Sequence, residues 1–304
     1  MIRPRWRKVL ADLWDNKLRT LLVVASIAVG VFSIGMIAGT YVIISHDMAA
    51  SYASVNPANI DLLTDAFDQD FITTIERLDG VQLAEGRRIF SVRARVAGGE
   101  WARLDLVALE DFTQVHINQL HVQSGSSLPA ERELVLERSA LEDLPVTAGD
   151  SLEIQLPDGT LKTLPVAGVV LDQATGAGDF LAPPYAYVTF DSLAWLGQPA
   201  SYNRLFATVA GDGNDETFIR QVSAQVADRV EKSGRQVYRT MLHETNQHPM
   251  ASTVQAILGI LFALGILIVL LSSSLIANTL NALLTQQTPQ IGMMKLVGAR
   301  SNQI

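Results

Sequence analysis

The chain has 304 residues, 48% of them hydrophobic, with 23 basic and 31 acidic side chains and no cysteine. The missing cysteine excludes disulfides, thiolate metal sites and cysteine nucleophiles. The net charge of −8 is unevenly placed: residues 1–19 carry Arg3, Arg5, Arg7, Lys8, Lys17 and Arg19 against Asp12 and Asp15, residues 285–304 carry only Lys295 and Arg300, and the stretch 45–248 is left strongly acidic. Basic ends and an acidic middle suggest that the ends and the middle lie on opposite sides of a membrane.

Residues 1–19 predict an amphipathic helix on the cytoplasmic leaflet, with Trp6, Val9, Leu10 and Leu13 at helical spacing. Thr20 to Ile44 has no formal charge and predicts a first transmembrane helix. It is too long for the hydrophobic region of a signal peptide, which is usually about 7–15 residues. Residues 45–250 read as one extracytoplasmic domain of mixed strands and helices. Ile60–Thr64 predicts a strand, and 68–80 a helix with Phe71, Ile72, Ile75 and Leu78 inward and Gly80 as its stop. Residues 88–96 and 101–109 alternate apolar with polar around "AGGE", the pattern of a hairpin.

Residues 132–172 predict a strand, a short helix, a Gly-Asp turn and two strands joined at "PDG". Residues 186–190 predict a strand, 191–197 a short helix capped by Asp191, and 204–210 another strand. Residues 215–234 predict an amphipathic helix carrying Phe218, Ile219, Val222, Val226 and Val230. The fold class is therefore a membrane protein in which two transmembrane helices flank an α+β domain of two lobes, the second lobe built around 130–180. The second apolar core, Val254 to Ile276, is longer than a buried core run of about 10–14 residues. The segment 251–284 is read as the second transmembrane helix with a cytoplasmic extension.

The motifs that would announce chemistry fail on geometry. There is no phosphate-binding G-x-x-x-x-G-K-[ST]. His243 and His248 are five apart, about 140° around a helix, whereas a zinc-protease helix needs one turn between them. His116 and His121 read as surface residues, "ATGAGD" (174–179) as a flexible loop, and "GDGND" (211–215) as a turn lacking the length and terminal Glu of a calcium loop. No cofactor, metal or catalytic set is expected in this chain, and no nucleic-acid partner. Small residues in the spans (Gly35 and Gly39, Ser26 and Gly30, Gly259 and Ala263) are candidates for close helix packing. Neither span holds an ionisable residue, which argues against an ion pathway.

The closing stretch "PQIGMMKLVGARSNQI" (289–304) carries a resemblance. With the preceding Asn278 and Asn281 it is similar to the MacB/FtsX-type family of ABC transporter permeases, which includes the LolC and LolE lipoprotein-release subunits. The family pattern E-I-G-x-L-x-A-x-G-A is met by Ile291, Gly292, Met294 at the Leu, Val297 near the small position, and Gly298 with Ala299. Gln290 replaces the acidic residue. The order of amphipathic helix, span, outer domain and span also follows the family.

The resemblance implies that the outer domain is a MacB-like periplasmic core domain. It implies that 285–304 is a cytoplasmic coupling helix whose Ile291, Gly292, Met293, Met294, Lys295, Leu296, Val297, Gly298 and Ala299 contact an ATPase subunit. The partners it implies are that ABC ATPase, which would hold Mg-ATP, a second permease subunit and the bacterial inner membrane, with both termini cytoplasmic. Family members continue into further spans, so the sequence is expected to be part of a longer permease. The alternative is a two-span receptor truncated in its signalling segment, which Pro289 would fit. Gly292 and Gly298 oppose the sustained heptads that such a segment needs.

Overall fold

The computed structural model describes Trp14, residues 17–174 and residues 182–298. Most of the expected N-terminal helix and of the "ATGAGD" loop lies outside those residues. The chain divides into two compact units, one formed by the terminal segments up to Ser45 and from Ser252, the other by His46–Ala251.

The first unit is built on two long helices, α1 (Lys17–Ser54) and the last helix of the chain, Ala251–Leu296. Their apolar windows have mean hydropathies of 2.5 and 2.8, yet only 6% and 11% of those windows is buried. Phe32, Met36, Val42, Ile260, Leu264, Leu270 and Leu271 stand open on their surfaces. A helix that is apolar all round is ordinarily buried in a core or spans a membrane. These helices are not in a core, and both are long and apolar enough to cross a membrane. Within the unit the helices meet at two glycines. A Cβ on Gly30 would lie 3.5 Å from Val269, and one on Gly265 would lie 3.3 Å from Ile37.

α1 does not stop at Ile44. It runs ten residues further, through His46 and Asp47, and ends at Ser54, where Asn56 takes a positive φ of 48°. Asparagine is among the few residues that adopt this conformation readily, and Pro57 then prevents any continuation.

The second unit has two lobes that share one strand. The order is β1 (Ile60–Phe67), α2 (Gln69–Glu76), β2 (Val81–Val96), β3 (Ala102–Leu109), β4 (His121–Gly125), β5 (Leu134–Glu137), a 3-10 turn (Arg138–Glu142), β6 (Ser151–Gln155), β7 (Leu161–Leu171), β8 (Tyr185–Thr189), α3 (Ser192–Trp195), β9 (Tyr202–Val209), α4 (Glu216–Lys232) and β10 (Val237–Leu242). The last helix, Ala251–Leu296, is α5.

In the first lobe the strands lie in the order β10-β1-β9-β2, each neighbour antiparallel. With α2 after β1 and α4 after β9, this is a split β-α-β arrangement of the ferredoxin-like kind. The helices cover one face. Phe71, Ile72 and Ile75 of α2 and Ile219, Val222, Val226 and Val230 of α4 are buried against Ile60, Leu62, Leu205 and Ala207. Asp68 caps α2 by accepting from the Phe71 amide, and Asp215 caps α4 by accepting from Thr217 and Phe218. Gly80, with φ of +88°, ends the α2 connection. On the opposite face a buried ion pair joins two strands. Arg204 Nε and Nη2 donate to the two Asp61 oxygens at 2.7 and 2.6 Å.

The second lobe is inserted between β2 and β9. Strand β2 changes partners along its length: Val81–Arg87 pairs with β9, Arg88–Ala94 with β3, and Arg93–Val96 with β6. The pairings then run β3-β8-β5-β7-β6 and return to β2, closing a six-stranded barrel. Its interior holds Val92, Ala94, Leu104, Leu106, Leu134, Leu136, Leu152, Ile154, Leu164 and Val188, all buried. Closure removes the free edges that would template aggregation. Strand β4 adds to the second half of β7 across Gly168, where a Cβ would meet the Ser126 carbonyl at 2.3 Å.

Two expectations need correction. Asp191 makes no side-chain cap for α3 and sits in a helical conformation itself. Ser192 anchors that turn instead, its Oγ 2.8 Å from Thr189 Oγ1 and accepting from the Arg132 amide at 2.9 Å. The segment 285–304 does not begin a separate helix, because α5 is unbroken through Pro289 to Leu296.

Breaking the Asp61–Arg204 pair from one side leaves a buried charge alone. Asp61→Asn is expected to cost about 3–5 kcal/mol, and a paired Asp61→Leu/Arg204→Met change much less. Urea unfolding of the detergent-solubilised chain measures both.

Candidate functional site

Two regions are the candidates for function: the free end of α5, and the place where the polypeptide enters and leaves the second unit.

At the α5 end the helix meets Pro289, which cannot donate to the Thr285 carbonyl. The threonine hydroxyls nearby bond back along the helix, Thr285 to the Asn281 carbonyl and Thr288 to that of Leu284, both at 2.8 Å. The helix closes at Gly298, whose φ is +92° and whose amide reaches the Lys295 carbonyl at 3.1 Å. Met293 is 61% exposed, and Leu296 and Val297 are each 89% exposed. Gly292 and Lys295 are also exposed. Ile291 and Met294 lie within the helix, while Ala299 lies outside the described residues. From Ala251 to Leu296 a straight helix is about 69 Å long, more than twice the roughly 30 Å of a bilayer's hydrocarbon core.

The expected packing glycines are not at the contact between the two helices. A Cβ on Gly35, Gly39 or Gly259 would meet nothing within 4 Å, and Ala263 is exposed. The contact uses Gly30 and Gly265, of which the sequence pattern singled out only Gly30.

At the domain end, Asn59 is the hub. It is 2% exposed and lies just before β1. Its Nδ2 is within bonding distance of the Gly213 carbonyl (3.3 Å), the His243 carbonyl (3.1 Å) and Thr245 Oγ1 (3.0 Å). Its Oδ1 accepts from the Val209 amide at 3.1 Å. Its own amide donates to Ala207, and its carbonyl accepts from the His243 amide at 2.9 Å. One residue thus binds the chain arriving from α1 to the end of β9, the following turn and the segment that leads into α5. Gly213 is required there, since a Cβ would come within 2.2 Å of Thr245 Oγ1.

The last turns of α1 are fastened around this hub. Tyr52 and Val55 are buried, and the Tyr52 ring meets the His248 ring edge-on at 5.1 Å. The Gln119 amide donates to the Val55 carbonyl and the Asn118 amide to that of Asn56. Asn118 Oδ1 accepts from Ala58, and Ser51 donates to Gln173 at 2.5 Å. His243 and His248 therefore belong to the junction. Burial pushes the pKa of each below the usual histidine value, with Arg204 adding to the effect at His243 and Asp61 opposing it. No group of three or more His, Asp or Glu side chains suited to a metal occurs among the described residues. The "GDGND" segment is a turn closed by Asp212, which accepts from the Asn214 amide.

No protein-family profile matches the sequence, and no curated protein is significantly similar to it. Among solved structures the chain is similar to the extracellular domain of the noncanonic ABC-type transporter YknZ from Gram-positive bacteria. The identity is 15% and the TM-score 0.41, over 59% of this chain and 100% of that one. It is likewise similar to the periplasmic region of MacB from Actinobacillus actinomycetemcomitans, at 12% identity and a TM-score of 0.40, over 68% of this chain and 95% of that one.

Two outcomes test the junction. Asn59→Asp keeps the shape but faces a carboxylate toward the Gly213 and His243 carbonyls. It should lower unfolding stability by about 2–3 kcal/mol, where a surface asparagine would be neutral. The histidines give a pH dependence. Their folded pKa values lie below the unfolded one, so the unfolded chain binds more protons as pH falls. Stability should decline as pH drops through about 6.5 and level off below the depressed values. Comparing thermal unfolding of the wild type with His243→Gln/His248→Gln across that range isolates their share from that of the carboxylates.

Proposed function

We propose that this chain is the membrane subunit, or part of one, of an ABC-type transporter, and that it carries motion from a cytoplasmic ATPase to its outer domain. The observation that carries the reading is the continuity of α5. One helix joins an exposed apolar tip at Met293, Leu296 and Val297 to the hydrogen-bonded junction at His243–His248, and its middle is exposed and apolar. Such a tip cannot bury its apolar residues by itself, and methionine gives adaptable contacts to a docking groove. The match of residues 291–299 to the coupling pattern supports the same partner, a P-loop ATPase holding Mg-ATP.

In this reading ATP hydrolysis occurs in the partner, and no substrate passes through this chain's own helices, which carry no charged residue in their apolar cores. Both termini would lie in the cytoplasm and the acidic domain outside, a placement that the basic residues at the two ends support. The outward faces at Gly35, Gly39 and Gly259 then suit a second permease subunit better than the contact within this chain. Displacing the tip would pull on the 243–248 segment, and Asn59 would pass the load to β1, β9 and α1 together. Extraction or export of a lipid or lipoprotein is the class of work this mechanical arrangement fits.

A paired Leu296→Asp/Val297→Asp change alters only exposed side chains and leaves the fold intact. It should reduce capture of the neighbouring ATPase by the detergent-solubilised chain about tenfold, as for loss of an interface anchor. Capture at the unaltered level would sink the coupling role.

A further inference from the structure

The outer surface of the barrel carries a mismatch that the fold does not need. On strands β3, β2 and β6 the outward residues form three rungs. In the first, Ser91 donates to Asp105 at 2.6 Å. In the third, Arg95 donates to Glu153 at 2.6 Å and lies 4.4 Å from the Trp101 ring. Both rungs are compensated. The middle rung places Arg93 directly opposite Arg103, with Gln155 on the other side of Arg93. Like charges directly opposed across a sheet are destabilising. Among the described residues, no carboxylate pairs with either guanidinium. Arg93 is instead held near the face of Trp101, at 5.6 Å.

This rung lines a groove of about 620 Å³, walled by Leu156, Pro157 and Gly159 of the β6–β7 turn, with the Asp105 carboxylate, which accepts from Ser91, at the neighbouring rung. A second groove, of about 510 Å³, offers no comparable opportunity. It is lined by Glu85, Glu110 and Asp111, and each of those is engaged by His116 and Ile117 amides, the Tyr202 hydroxyl or Thr113.

We propose that Arg93, Arg103 and Gln155 form a binding site for a phosphate-type oxyanion, carried by the free ion or by a small phosphate ester. Two guanidinium forks on adjacent strands and one amide supply donors from several directions. That suits the multiple oxygens of a phosphate better than a single carboxylate. The anion would remove the repulsion between the two arginines, and the Leu156–Pro157 wall leaves room for an apolar substituent beside it.

The test is a fluorescence titration of the full chain in maltoside detergent, with Trp101 as the reporter and a Trp101→Phe variant as its control. The probes are inorganic phosphate and dihexanoyl phosphatidic acid, with chloride at matched ionic strength. Saturable binding of phosphate would assign a free anion, and saturation by phosphatidic acid alone would assign a lipid headgroup. Either is expected to weaken about tenfold or more in R93Q/R103Q, as loss of charge-assisted bonds requires. Should that variant lose its native unfolding transition, R103Q alone decides by the same criterion. Absence of saturation with both probes, or wild-type affinity in the folded variant, would overturn the site.

Discussion

A buried amide that must satisfy all its hydrogen bonds ties together the segments through which the chain enters and leaves the second unit. Asn59 sits where water cannot serve it, so its two N–H groups and its oxygen need protein partners. Those partners come from the end of β9, the 211–213 turn and the segment before α5, and Asn59 itself follows directly on α1 and its cap. Leaving any one bond unmade costs more than making it gains. The four chain segments therefore move as one body or separate at considerable cost. That property suits the mechanical linkage proposed above.

The domain beyond the hub is cross-tied between its lobes. Strand β2 belongs to the four-stranded sheet over its first half and to the barrel over its second, so the lobes have no hinge at that crossing. Buried Arg87 donates to the Ile117 carbonyl at 2.6 Å and ties β2 to the 110–120 loop, which in turn grips the end of α1. Burial works against the charge on Arg204, yet Asp61 raises its pKa above the ordinary value, so the pair persists as an ion pair. Polar interactions of this kind add little net stability but fix geometry, here between β1 and β9 on either side of the hub.

The sequence was most legible where periodicity and caps agree. α4 shows both, with Asp215 before an apolar stripe from Ile219 to Val230. The β2–β3 hairpin was visible as alternation, but the first half of β2 was not, because Glu85, Gly86 and Arg87 interrupt the apolar pattern, the two charged residues bonding to the 116–117 segment. β4 escaped notice because all five of its residues are exposed, and β10 because its middle residues face solvent at the sheet edge. Barrel closure through β6 and β2 joins residues far apart in sequence, and no local pattern encodes it. Asn59 gave no signal at all, being one asparagine between Ala58 and Ile60 whose partners lie at positions 207–245. The continuity of α5 through Pro289 ran against the usual effect of proline.

The central claim is that the α5 tip and the Asn59 junction are mechanically connected. Hydrogen exchange of the chain in a lipid nanodisc, with the proposed ATPase partner and with or without a non-hydrolysable ATP analogue, measures this directly. The account predicts that the nucleotide changes protection at residues 57–61 and 243–248 together with the α5 tip. A change confined to residues 289–298, with the junction amides unaffected, would contradict it.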